Sequence, residues 1–291
     1  MEEKIKKREN YVSYMQEFQY GYHDLHRLSL FQPPPKRTET RHKDALWVIY
    51  IHGGAWRDPT ITDRSFDHTV DVMLSSRWIH KIKGFASLSY RLSPHPDHKQ
   101  QLPTSKTSNQ EAKHPDHIND ILMGLDYLQE NFMVGNQYIL IGHSCGATLA
   151  FQTIMSQFNH TSFVKPKIIV GVAGIYNLCG LRDRHPNSGY EEFISGAFGN
   201  EEKVWDLVSP VNMKPLENLW TEGEMAILVS STLDELVESK QVEEFEKTLK
   251  SYHNIRVETW TRILNCSHDD IWKKDGLVQV LEKVLDNYYQ V

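Results

Sequence analysis

A serine between two glycines is the strongest candidate for chemistry in this sequence. Gly142-His143-Ser144-Cys145-Gly146 follows Tyr138 to Ile141, an apolar run typical of a buried strand, and precedes the helix-forming Ala147 to Phe151. In such a strand-turn-helix the serine sits in a strained turn at the carboxyl end of the sheet, and glycines prevent backbone clashes there. Ser144 is therefore the predicted nucleophile. The alternative is a glycine-rich turn with a capping serine.

A serine hydroxyl needs a base that takes its proton and an acid that orients the base. Asp234 follows the apolar run Ala226 to Val229 and is the predicted acid, with Glu235 as second choice. Among 15 histidines, His268 lies after the last strand candidate, where the base is expected, whereas His253 precedes that strand and lies at the wrong edge. The chain order serine, acid, histidine is that of α/β-hydrolases.

A second motif supplies the groups that would stabilise developing negative charge. His52-Gly53-Gly54-Ala55-Trp56 follows the apolar run Leu46 to Ile51 and resembles the HGGG-type loop of related hydrolases. Backbone N–H groups of Gly54, with Gly53 or Ala55, and of Cys145 are the predicted oxyanion hole. The turn exposes position 144 and directs position 145 inward, so Cys145 is predicted to be buried and inert.

One sheet must position these residues. Apolar runs predict buried strands at Leu46 to Ile51, Phe85 to Tyr90, Tyr138 to Ile141, Ile168 to Val172, Ala226 to Val229 and, more weakly, Val257 to Trp260. Apolar residues at helical spacing predict helices around Ile118 to Leu128, Val242 to Leu249 and Val278 to Leu285. This alternation predicts a single α/β domain over residues 45–291, with a mostly parallel sheet covered by helices on both faces.

Three segments fall outside the alternation. Residues 1–44 are polar and aromatic, include Pro33-Pro34-Pro35, and are predicted to form an arm packed on the core. Residues 97–114 are polar and predict an exposed loop. The stretch 177–220 is rich in glycine, proline and aromatic residues and is interpreted as a cap over a pocket.

A repeated tetrapeptide raises the question of metal binding. His95-Pro96-Asp97-His98 and His114-Pro115-Asp116-His117 flank the polar loop. Neither has a ligand spacing typical of a metal site, so coincidence of loop composition is favoured. We expect neither a metal nor a cofactor.

The composition of the sequence indicates which classes of binding partner are disfavoured and which cellular compartment to expect. Thirty-eight acidic and 32 basic residues among 291 leave a net charge of −6, which disfavours nucleic acid and anionic membranes. The sequence lacks a run of ~18 apolar residues, the length needed for a membrane span. Three cysteines without CxxC spacing argue against a disulfide framework or a zinc site. A soluble cytoplasmic protein with a small-molecule substrate is expected.

The motifs together resemble a known family. The GHSCG turn, the serine-acid-histidine order and above all His52 to Trp56 are similar to the kynurenine formamidases (arylformamidases) of the α/β-hydrolase superfamily, and to the fungal enzymes most. The resemblance runs from about residue 45 to the C-terminus, and it includes Tyr90-Arg91-Leu92-Ser93-Pro94. The arm and the polar loop are not covered.

The resemblance implies a cytosolic enzyme, commonly a homodimer, that hydrolyses N-formyl-L-kynurenine to L-kynurenine and formate during tryptophan breakdown. It implies Ser144 as nucleophile, Asp234 as orienting acid and His268 as base. Trp56 and Tyr176 are candidates to pack on the substrate ring, or else core aromatics.

Two other functions remain open. A carboxylesterase acting on small acyl esters is the alternative enzyme, and HGGAW favours the formamidase. A noncatalytic binding protein of α/β-hydrolase fold is less favoured because all three triad positions are filled.

Overall fold

An eight-stranded sheet organises the chain. The computed structural model describes residues 15–33, 44–95, 111–158, 164–214, 220–251 and 255–290. Within these ranges the strands are β1 (Gln16–Gln19), β2 (Arg27–Phe31), β3 (Leu46–Ile51), β4 (Ile82–Leu88), β5 (Tyr138–His143), β6 (Ile168–Val172), β7 (Met225–Ser231) and β8 (Arg256–Leu264). Their order across the sheet is β1-β2-β4-β3-β5-β6-β7-β8. The six predicted strands are confirmed as β3 to β8, and they pair in parallel.

Helices connect the parallel strands, as expected for parallel pairing. In the described ranges they are α1 (Asp67–Met73), α2 (Asp116–Phe132), α3 (Cys145–Gln152), α4 (Leu178–Arg184), α5 (Tyr190–Phe198), α6 (Glu202–Val208), α7 (Lys240–Lys250), α8 (Asp270–Lys273) and α9 (Gly276–Tyr289). The three helices predicted from periodicity are confirmed as α2, α7 and α9. None of the helices in the described ranges has the length and apolarity needed to cross a membrane.

The sheet separates two hydrophobic cores. Successive residues of a strand point to opposite faces, so in β3 Trp47, Ile49 and Ile51 enter one core. Leu46, Val48 and Tyr50 enter the other. Helices α2, α3 and α7 bury their apolar faces in the first core, and α1 and α9 in the second. Because both faces of these strands are buried, their residues must be apolar throughout. This is why continuous apolar runs in the sequence predict them.

The described part of the N-terminal arm extends the sheet. β1 pairs antiparallel with β2, and β2 pairs antiparallel with β4. Two buried carboxylates hold the hairpin: Asp63 contacts Arg27 and Ser29, and Asp120 contacts His26. We did not predict these strands, because β1 is polar and exposed and β2 is short. Residues 1–14 and 34–43 lie outside the described residues.

The remaining predicted segments have different outcomes. Residues 177–220, interpreted from the sequence as a cap and called the cap from here on, contain three successive helices, α4, α5 and α6, between β6 and β7. Residues 215–219 of the cap and 97–110 of the polar loop lie outside the described residues. The sheet edge formed by the carboxyl ends of β3 to β8 is where the candidate side chains gather.

Candidate active site

Ser144 occupies the sharp turn that its motif predicts. It lies between the end of β5 and the start of α3, with backbone angles φ 55° and ψ −125°. A positive φ is unfavourable for a residue with a side chain, so the surrounding structure must hold it. The Ser144 N–H donates to the Val172 carbonyl at 2.9 Å, which ties the turn to the neighbouring strand. The residue is buried except for 6% of its surface.

Close backbone packing explains the glycine that follows the turn. A Cβ atom at Gly146 would lie 2.3 Å from the Ile51 carbonyl oxygen and 2.5 Å from that of His52. Both obstacles are backbone atoms, so a side chain could not be accommodated by a rotamer change. The helix that begins at Cys145 therefore sits directly against the end of β3. This contact brings the Ser144 turn and the His52 to Trp56 loop together.

Asp234 and His268 meet as predicted. The His268 Nδ1 atom lies 2.9 Å from Asp234 Oδ2 and 3.1 Å from Oδ1. Both side chains are nearly inaccessible, at 5% and 1% exposure for histidine and aspartate. Glu235, the second choice of acid, contacts a different part of the same residue: its Oε2 accepts a hydrogen bond from the His268 backbone N–H at 3.0 Å. Asp234 is thus the carboxylate placed to orient the imidazole, and Glu235 holds the loop.

His143 precedes the serine in the chain and packs against His268. Its ring centroid is 4.5 Å from that of His268, at a tilt of 42°. Burial, and then the neighbouring His268, lower the pKa of His143 well below its usual value, so the ring is neutral. Within the described residues the Ser144 hydroxyl makes no hydrogen bond to His268. Catalytic hydrogen bonds often form only in the substrate complex, so the absence of this bond is compatible with a serine-histidine pair.

Tyr90, for which the sequence predicts no role in the site, holds the His52 to Trp56 loop. The Tyr90 hydroxyl donates to the carbonyls of His52, at 3.0 Å, and Gly53, at 3.2 Å. Because N–H and C=O point in opposite directions across a trans peptide, the N–H groups of Gly53 and Gly54 face away from Tyr90. Tyr90 follows the end of β4, and a residue with a polar group at that position is the sequence signal for such a role.

Gly53 lies against the predicted nucleophile. A Cβ atom at this position would be 3.1 Å from Ser144 Cβ. The next three residues, Gly54, Ala55 and Trp56, all have positive φ, at 99°, 50° and 59°. The backbone therefore turns sharply directly after the residue that contacts Ser144. Gly53, with the adjacent Gly54, lies nearer to the nucleophile than this turn and is the candidate source of oxyanion donors.

Cys145 holds the His52 to Trp56 loop through its sulfur atom. Its sulfur accepts a hydrogen bond from the Trp56 N–H at 3.3 Å, and the Ala55 backbone N–H also faces it. Burial raises the pKa of the Cys145 thiol to about 11. The predicted burial of Cys145 is confirmed, and a buried, protonated thiol is a poor nucleophile. The Ala55 N–H is directed to this sulfur, which removes it from the set of free donors.

The two aromatic candidates for substrate packing are core residues in this structure. Trp56 is fully buried against Phe198, at a centroid distance of 4.9 Å, and Phe193 of the cap, at 6.0 Å. Tyr176 is fully buried 4.7 Å from Phe245. Neither ring offers surface to a bound molecule in this conformation. The alternative interpretation, that they are core aromatics, describes both.

The histidine repeats have structural contacts where they are described. His114 packs against the rings of Phe158 and Phe198. His117 is buried, with Nε2 3.0 Å from Ser93 Oγ. Residues 96–98 lie outside the described residues. In the described parts of the chain no group of three or more metal-binding side chains converges.

Comparisons with known proteins find relatives that align over most of the chain. The BD-FAE family model matches residues 34–249. A kynurenine formamidase-like hydrolase of Fusarium equiseti, fscH, is 39% identical over 87% of this chain and 88% of its own. The kynurenine formamidase avaC of Aspergillus versicolor is 35% identical over 82% and 88%, and a kynurenine formamidase of Meyerozyma guilliermondii is 32% identical over 77% and 76%.

Solved structures show the fold independently of sequence. Esterase B of a Lactobacillus superposes with a TM-score of 0.66 at 14% identity, covering 99% of this chain and 91% of its own. The Francisella virulence factor BioJ gives 0.64 at 17% identity, with the same coverage. At such low identity these matches concern the fold alone. Together with the sequence relatives they show that the chain belongs to the kynurenine formamidase family, with an α/β-hydrolase fold.

Proposed function

We propose that this protein is a serine hydrolase that cleaves N-formyl-L-kynurenine to L-kynurenine and formate. The observation that carries the proposal is the Asp234–His268 pair at the same sheet edge as the strained Ser144 turn. That arrangement is the machinery of acyl transfer through a serine. The choice of substrate is supported by relatives that bear the name kynurenine formamidase and align over most of the chain.

The first half of the reaction transfers the formyl group to the enzyme. Ser144 Oγ attacks the formyl carbon while His268 Nε2 takes the hydroxyl proton and Asp234 accepts a hydrogen bond from Nδ1. The carbonyl oxygen becomes negative in the tetrahedral intermediate. Backbone N–H groups of Gly53, Gly54 and Cys145 would donate to it. The carbon–nitrogen bond then breaks, and the imidazolium gives its proton to the departing arylamine.

The second half regenerates the serine. His268 removes a proton from water, which attacks the formyl-Ser144 ester and forms a second tetrahedral intermediate. That intermediate collapses to formic acid, which ionises to formate, while the His268 imidazolium returns its proton to Ser144 Oγ. Every proton moves between His268, Ser144, water and the product, so the cycle uses no metal and no cofactor.

We also propose that the enzyme works in the cytosol as a homodimer on a small-molecule substrate. The cysteines Cys145, Cys179 and Cys266 are all free thiols, which is compatible with a reducing compartment. Size-exclusion chromatography with light scattering tests the assembly. A mass equal to one chain across micromolar concentrations would contradict the dimer.

A comparison of two substrates tests the proposed activity. We expect kcat/KM for N-formyl-L-kynurenine to exceed that for p-nitrophenyl acetate, although the ester has the better leaving group. The control is Ser144→Ala, which should remove turnover of both. A clear preference for the ester, with slow deformylation, would favour the small-acyl carboxylesterase instead.

A further inference from the structure

The orientation of the Asp234 carboxylate is set by the backbone that follows it. Asp234 Oδ1 accepts hydrogen bonds from the N–H groups of Leu236, at 2.9 Å, and Val237, at 2.8 Å. Oδ2 is the oxygen nearer to His268 Nδ1. A displacement of residues 236–237 would therefore rotate the carboxylate away from the imidazole. The contacts that hold residues 236–237 in place therefore help to orient the catalytic acid.

Burial fixes only one end of the segment. The Val237 side chain enters the core with 5% exposure, whereas Leu233 and Leu236 are 59% and 45% exposed. Side chains in solvent contribute little to the position of a loop. The peptide between Leu236 and Val237 is instead fixed by a hydrogen bond from outside the loop. The Leu236 carbonyl accepts it from the Tyr190 hydroxyl at 2.5 Å.

Tyr190 is well placed to hold that carbonyl. It is the first residue of α5 in the cap, and its ring packs edge-on against His185, at 5.4 Å, and Phe193, at 5.5 Å. Burial, followed by the nearby carboxylates of Asp234 and Glu238, raises the pKa of Tyr190. The phenol therefore stays protonated at neutral pH and acts as a donor.

The cap also contacts Glu238, the last residue of the acid loop (residues 231–238). Arg184 Nε lies 2.5 Å from Glu238 Oε1, and His185 Nε2 lies 3.1 Å from Oε2. The cap thus contacts the acid loop at Leu236 and again at Glu238. A chain of hydrogen bonds thus connects the Tyr190 hydroxyl, the Leu236–Val237 peptide, the Asp234 carboxylate and His268.

We propose that Tyr190 is a positioning residue: its hydroxyl holds the backbone that orients the catalytic acid, so the cap completes the triad. This inference rests on the proposed function, because it assumes that Asp234 acts through His268. It assigns the cap a part in the chemical step. Tyr190 need not touch the substrate, so its loss should lower kcat and leave KM nearly unchanged.

Tyr190→Phe removes the donor and keeps the ring contacts with His185 and Phe193. We expect kcat to fall about tenfold on both N-formyl-L-kynurenine and p-nitrophenyl acetate, with KM within about twofold. Ser195→Ala is the matched control, because Ser195 lies on the same helix and its hydroxyl donates to the Glu192 carbonyl of that helix. The control should keep wild-type kinetics.

A double-mutant cycle separates positioning from general damage to the fold. If Tyr190 acts through the acid, Tyr190→Phe should change kcat by less than about twofold in an Asp234→Asn background. An equal loss in both backgrounds, a wild-type kcat for Tyr190→Phe, or an effect confined to KM would each overturn the proposal. Circular dichroism and thermal unfolding check that each variant folds.

The proposed function can fail separately. If wild-type protein hydrolyses the ester but not N-formyl-L-kynurenine, the substrate assignment is wrong, and the Tyr190 cycle can still be measured on the ester. If Ser144→Ala retains wild-type activity, the serine mechanism fails. Neither result resembles a Tyr190→Phe variant that equals wild type beside an inactive Ser144→Ala.

Discussion

Two sides of the candidate site are held together by different kinds of contact. On the elbow side, residues 52–58 and 143–146, backbone packs directly on backbone, as where Gly146 meets the Ile51 carbonyl. On the cap side, residues 177–214 and the acid loop 231–238, side chains make the connections. Tyr190 bonds Leu236, and Arg184 bonds Glu238. The elbow side is mostly buried, and residues 186–189 of the cap are exposed.

The two kinds of contact should tolerate substitution to different degrees. Backbone packing admits few residue types, since a Cβ atom at Gly146 would collide with main-chain oxygens. Side-chain contacts can be exchanged for others of similar reach. We therefore expect changes on the elbow side to abolish the reaction. On the cap side, we expect the same only of the catalytic acid Asp234, and changes at the side-chain contacts between the cap and the acid loop should adjust the rate or the substrate range.

Removal of the predicted nucleophile should have the largest effect. Ser144→Ala deletes the hydroxyl and leaves the turn, and we expect kcat to fall by about 10,000-fold or more. The measurement is kynurenine release, followed by absorbance, with circular dichroism as the folding check. Activity within a few-fold of wild type would show that the elbow side is not the seat of the chemistry.

The two adjacent acids should differ sharply. Asp234→Asn exchanges a carboxylate for an amide that cannot keep the His268 tautomer, so we expect kcat to fall by about 1,000-fold or more. Glu235→Gln keeps an oxygen that can accept from the His268 N–H, and should cost less than about tenfold. Each variant is the control for the other in the same assay. The reverse order of effects would move the acid by one position.

Acid should destabilise the fold through two buried histidines, His52 on the elbow side and His117 on α2. Burial lowers the pKa of His52 and of His117 to about 4, below the usual value near 6.5. Because the folded-state pKa is depressed, each residue contributes stability that is present above about pH 6.5 and is lost as the pH falls through about 4. From pH 7.5 to 4.5 we expect a loss of about 2 to 3 kcal/mol in the free energy of unfolding per histidine.

His117→Gln tests this directly, because glutamine can still bond Ser93 and does not titrate. Urea unfolding at the two pH values should show a smaller pH-dependent loss in this variant than in wild type. An identical loss would mean that His117 is not the source of acid sensitivity.

The ion pair between the two sides should matter least. Arg57 follows the oxyanion loop and lies 3.0 Å from Glu192 on α5, where the carboxylate is 56% exposed. Exposed pairs contribute up to about 1 kcal/mol, so Glu192→Gln should lower stability by no more than that. We expect kcat/KM to stay within about threefold of wild type. A loss as large as that of Asp234→Asn would erase the distinction between the sides.

The sequence predicts the elbow side better than the cap side for the same physical reason. Buried parallel strands must be apolar throughout, and the Ser144 turn requires glycines at fixed spacing, so β3, β5 and the turn leave clear local patterns. The hydrogen bond from Tyr190 to Leu236 joins residues 46 apart and follows no spacing rule. Polar β1 likewise carries no strong signal, and its strand forms because β2 and β4 provide a paired edge.

The most direct test of the central claim is covalent labelling of the nucleophile. The protein is treated with a fluorophosphonate, and the modified peptide is identified by mass spectrometry, with and without N-formyl-L-kynurenine. We predict one adduct on Ser144, formed in step with the loss of formamidase activity, slowed by substrate and greatly slowed in Asp234→Asn. Full modification of Ser144 with deformylation undiminished, or inactivation through a different residue, would contradict the account.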